Sequence, residues 1–121
     1  MHERMKILYD NGVITGDSYQ GILSVINTLN DEWKLNNDDE QYQMAMTHLV
    51  RAIDRVRREE PVTEGLDVDI ESELMASEYY FTILEMNERV CSMMGVKCED
   101  IPKEEKGFLI CNLLSIYLKS N

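Results

Sequence analysis

Apolar side chains recur along this chain at the three- and four-residue spacings of amphipathic helices. Met5, Ile7, Leu8 and Tyr9 form a short helical pattern closed by Asn11-Gly12, a turn or C-cap signal. A second helix is predicted from Thr15 or Asp17, with Tyr19, Ile22, Leu23, Ile26 and Leu29 at helical spacing and Trp33 and Leu35 extending the apolar side. Asn36, Asn37, Asp38 and Asp39 form a polar break with capping candidates, and a third helix is predicted from Asp38 to about Glu60, ended by Pro61. Leu66, Val68 and Ile70 alternate with acids, but the run is too short and isolated for a sheet. Val62 to Ser72 therefore reads as a loop with one helical turn.

A fourth helix is predicted from about Glu73 to Gly95. Glu78, Thr82, Glu85, Arg89 and Ser92 form its narrow polar stripe, and nearly all the rest is apolar or aromatic. Such a helix is expected to be buried on several sides, or to lie partly against a second copy of the chain. A fifth is predicted from Pro102 to about Lys119, with Leu109, Ile110, Leu113, Leu114, Tyr117 and Leu118 inward and Glu105, Asn112, Ser115 and Lys119 on a polar side. Trp33 and the methionines read as core filler. Five helices with short connections predict an all-α, compact five-helix bundle, and 121 residues suit one domain spanning 1–121.

The third helix carries the most informative pattern. Tyr42, Met46, Leu49, Val50, Ile53 and Val56 share one side, whereas His48 and Arg55, two turns apart, project roughly opposite it. Composition sharpens the contrast. The net charge is −11, which argues against direct nucleic-acid binding, yet four of the twelve basic residues crowd into Arg51, Arg55, Arg57 and Arg58. No apolar run reaches the length of a membrane span, and Met1 to Arg4 leads into no signal-like stretch, so a cytoplasmic protein is expected. Cys91, Cys98 and Cys111 are an odd set without a C-x-x-C pair, which suggests reduced thiols and neither a zinc site nor a disulfide framework.

For catalysis the inventory is thin: two histidines, no phosphate-cradling glycine loop, no nucleophile elbow and no H-E-x-x-H. No cofactor and no metal are called for, and an independent enzyme is not expected. One role needs only a histidine and its surroundings. A neutral imidazole nitrogen can take a phosphoryl group from a donor protein, and arginines can hold the oxygens through charge-assisted hydrogen bonds. Arg51 and Arg55 lie one and two turns beyond His48. The plainer alternative is a surface histidine beside arginines that pair with Asp54, Glu59 and Glu60.

A resemblance shifts the balance. His48-Leu49-Val50-Arg51-Ala52-Ile53-Asp54-Arg55 resembles the first histidine motif of the phosphotransferase-system regulation domain, the PRD. Pro102-Lys103-Glu104-Glu105-Lys106-Gly107-Phe108-Leu109 is similar to that family's P-x-x-E-x-G-aromatic-aliphatic signature, and the likeness covers roughly residues 15–119. It implies a PRD-like helical bundle, frequently dimeric, whose histidines are phosphorylated by the histidine-containing phosphocarrier protein or by sugar-transporter IIB components. The chain departs from the family in having room for one such domain, without an attached RNA-binding or DNA-binding domain. The second histidine, expected ten residues after the signature proline, is Asn112, so His48 is the one transferable phosphorylation position and Glu105 with Asn112 is a remnant of the second site; contact of Glu105 with an arginine of the His48 helix is left open by the sequence.

The expectation is thus a stand-alone regulatory module phosphorylated on His48, with Arg51 and Arg55 supporting the phosphate. It would act through self-association or protein contacts in carbohydrate-linked regulation, without nucleic acid or membrane. The alternatives are a helical scaffold or dimerisation module that lost the chemistry, and an accessory subunit of a carbohydrate-utilisation system.

Overall fold

Short polar residues at the breaks in the hydrophobic pattern become helix caps. The computed structural model describes residues 1–60 and 64–120 and contains six α-helices: α1 His2–Asp10, α2 Gly16–Trp33, α3 Glu40–Arg57, α4 Val68–Ala76, α5 Tyr80–Met94 and α6 Lys103–Ser120, with a 3-10 turn at Cys98–Asp100. Thr15 caps α2 by accepting the amide of Ser18, and Asp39 caps α3 by accepting those of Gln41 and Tyr42. Gly95 ends α5 in the left-handed region at φ 75°, which costs a glycine little and a side chain more.

Two expectations are corrected. The bundle has six helices rather than five, because the stretch expected as one helix from Glu73 to Gly95 is interrupted. Ser77 is extended at ψ 137°, its hydroxyl accepts the amide of Tyr79, and the backbone restarts as α5 at Tyr80. A serine that bonds to nearby amides offers the chain an alternative to continuing a helix. Helix α4 also begins at Val68, inside the expected loop, where Asp67 caps it through the amide of Asp69. The expected stop at Pro61 and the loop residue Val62 lie outside the described residues; α3 ends earlier, at Arg57.

The core is one cluster to which every α-helix contributes, and α3 lies along α6 on one side and α2 on the other. Tyr42, Met46, Leu49, Val50 and Ile53 are buried on α3, and Val56 is half-buried. On α6 the buried stripe is Leu109, Ile110, Leu113 and Ile116, while Leu118 is exposed. Trp33 and Tyr79 each meet Tyr117 edge-on, at centroid distances of 4.9 and 5.2 Å, joining the end of α2 and the start of α5 to α6. The expected polar stripe of α5 is exposed throughout, but so is Phe81, a residue of the apolar side. Among the described residues no helix is long and apolar enough to cross a membrane.

Candidate functional site

Two neighbouring residues pin α3 to the helices on either side of it. Asp54 is buried, and its Oδ1 accepts the Thr15 amide at 3.0 Å and the Ser18 hydroxyl at 2.9 Å, while Arg58 Nε meets Oδ2 at 2.7 Å. The Arg58 guanidinium also donates to the carbonyls of Gly12 and Val13, so the α1–α2 turn is tied to the end of α3. The next residue, Arg55, reaches the opposite way to α6, donating from Nε and Nη2 to the two carboxylate oxygens of Glu105, each at 2.9 Å. Glu105 is fully buried, and Arg55 keeps about a third of its side chain exposed (37%). The hydrogen bond to Glu105 raises the Arg55 guanidinium above its ordinary pKa.

This corrects the reading of Glu105 as part of a polar, outward side of the last helix. A carboxylate bonded by a two-pronged guanidinium can be buried, and here the paired charges replace lost hydration with directed hydrogen bonds. The ion pair also joins the two stretches that carry the PRD resemblance, since Arg55 belongs to the first and Glu105 to the second. Other positions of the second stretch have physical roles as well. A Cβ on Gly107 would come within 3.3 Å of Leu66 Cδ1, so the glycine lets the segment before α4 lie against α6. Leu109 is fully buried.

His48 is exposed on the outer side of α3, away from the core stripe. A surface depression of about 430 Å³ is lined by His48, Arg51, Ala52, Arg55, Phe108 and Asn112, so the histidine, both candidate phosphate-supporting arginines and Asn112 border one space. Arg51 is exposed, and no ion pair or hydrogen bond engages it among the described residues. Asn112 is half-buried and spends its side-chain amide on the Phe108 carbonyl one turn back, at 3.0 Å. His48 borders two further grooves. One, of about 400 Å³, has Ile7 and Leu8 of α1 with Met44 and Thr47 of α3 as walls and Arg4 at its rim. The other, of about 700 Å³, follows the α3–α6 seam to Asp39 and Lys119, which form an ion pair at 2.9 Å.

Half of the basic island is spent internally, since Arg55 serves Glu105 and Arg58 serves Asp54, while the half-buried Arg57 makes no ion pair among the described residues. Arg51 remains as a cation directed to solvent beside His48. Sequence reasoning missed Phe108 and the walls supplied by α1, both brought to His48 only by tertiary packing. Among the described residues no cluster of three His, Cys, Asp or Glu side chains is placed to hold a metal ion.

The chain is therefore an all-helical protein with an exposed histidine set in an arginine-bordered depression between two helices. Over 121 residues it is 31% identical to the uncharacterized protein YhfY of Escherichia coli (strain K12), covering all of this chain and 98% of that protein; the chain belongs to the YhfY family. No protein-family model matches it, and no solved structure does.

Proposed function

We propose that this protein is a PRD-type regulatory module that receives a phosphoryl group on His48 from a component of the sugar phosphotransferase system, the histidine-containing phosphocarrier protein or a transporter IIB component. The observation that carries this reading is the shared depression, in which an exposed imidazole has Arg51 and Arg55 at its border. Transfer from the phosphocarrier protein moves the phosphoryl group from one ring nitrogen to another. The donor's N–P bond breaks, an N–P bond to His48 forms, and no net proton or electron is exchanged. The new group adds close to two negative charges beside two guanidinium groups, which stabilise it by charge-assisted hydrogen bonds. The output is a change in the surface that α3 and α6 offer to a partner or a second copy.

Incubation with phosphoenolpyruvate, the first enzyme of the relay and the phosphocarrier protein should give an acid-labile phosphate, and His48→Ala should abolish it. A relay that labels an established acceptor but leaves the wild-type chain unlabelled contradicts the reading. A second reading, a dimerisation module without phosphoryl chemistry, draws on the exposed apolar residues Val68 (75%) and Met75 (57%) of α4 and Phe81 (78%) of α5. Light scattering would favour it if an unlabelled chain were dimeric and Phe81→Glu made it monomeric.

A further inference from the structure

We infer that Glu105 is a positioning residue for phosphoryl transfer at His48, acting through Arg55; the inference rests on the phosphoacceptor reading. A guanidinium is planar, with five N–H donors in one fixed fork. In Arg55 the Nε–Nη2 edge is held by both oxygens of a carboxylate that is itself fully buried. Two donors of a rigid plane fixed in this way leave three whose direction is no longer free. Arg55 also borders the depression that contains His48.

The two arginines therefore do different work. Arg51, exposed and outside any ion pair among the described residues, supplies charge on a flexible stem. Arg55 supplies charge in a set direction, because Glu105 orders its side chain before the phosphoryl group arrives. Orientation established in advance lowers the barrier to transfer, since nothing need be ordered during the reaction. Asn112 is a weaker candidate for this work, as its amide is already committed to the Phe108 carbonyl.

A kinetic double-mutant cycle tests the inference. The rate of labelling is followed against phosphocarrier concentration for wild type, Glu105→Gln, Arg55→Ala and the double variant, at a temperature where circular dichroism finds each one folded. Glu105→Gln should lower the maximal rate about 10- to 100-fold without moving the half-saturating donor concentration. Arg55→Ala should lose at least as much, and Glu105→Gln should cost nothing further in its background. If Glu105→Gln does not fold, Glu105→Asp withdraws the carboxylate by one methylene while keeping its charge, and the same loss is expected. Wild-type rates in the folded Glu105 variant, or losses that multiply in the double variant, overturn the positioning role while labelled His48 leaves the phosphoacceptor reading standing. A wild-type chain that takes no label removes both.

Discussion

At the scale of single residues, the informative side chains are polar groups in core register. Glu105 lies four residues before Leu109 and eight before Leu113, on the buried stripe of α6; Asp54 lies four after Val50; Asn87 lies between Ile83 and Val90. Asp54→Ala leaves the Thr15 amide, the buried Ser18 hydroxyl and Arg58 without the acceptor they share. It should cost about 3 kcal/mol in denaturant unfolding, whereas Arg58→Ala, which removes a half-exposed partner, should cost less. The exposure of His48 was legible from periodicity, because it stands opposite a regular apolar stripe. The burial of Glu105 left a trace in the same periodicity, but a carboxylate on an apolar stripe reads as an outward residue until its cation is known. That cation is fifty residues away in the chain. Phe108 and Arg4 gave no local sign of lying near His48, since only the packing of α6 and α1 against α3 brings them there.

At the scale of helices, starts and ends were legible where capping chemistry is local. Thr15, one of two expected starts of α2, and Asp39, one of four capping candidates before α3, supply the caps, and Gly95 ends α5. The break at Ser77 was hidden because apolar residues on both sides, Leu74 to Leu84, keep a helical period across it. The cap of α3 has a pH signature. The hydrogen bond from Lys119, together with the Tyr42 and Gln41 amides, holds the Asp39 carboxyl below its ordinary 3.8. A carboxyl with a lowered folded-state pKa stabilises the fold above its unfolded value and loses that contribution as pH falls through the folded one. Asp39→Ala should therefore lower the melting temperature at pH 7, and the gap from wild type should close as the pH is taken below 3.8. Helix contact has its own test at Gly21 on α2. A Cβ there would stand 2.8 Å from Met94 Sδ and 3.0 Å from the Met94 Cα. Gly21→Ala gains about 1 kcal/mol of helix propensity but costs about 1–3 kcal/mol in overpacking against α5, so thermal unfolding should show a net loss of stability.

At the scale of the whole molecule, an acidic chain gathers four of its six arginines at one end of α3 and uses two of those four to bind that helix to its neighbours. The result is a histidine on a helix pinned from both sides, a rigid platform for the phosphoacceptor role proposed above. The class of fold was legible from the hydrophobic period alone. The depression was not, because it arises between α3 and α6, two elements separated in sequence whose facing residues no local pattern connects.

The most direct test of this account is the intact mass of the wild-type chain after exposure to the phosphoenolpyruvate-driven relay, read before and after mild acid. One phosphoryl adduct that acid removes, that fragmentation maps to His48 and that His48→Ala lacks is the predicted result. An unmodified mass under conditions that label an authentic acceptor, or a stable adduct on another residue, would contradict it.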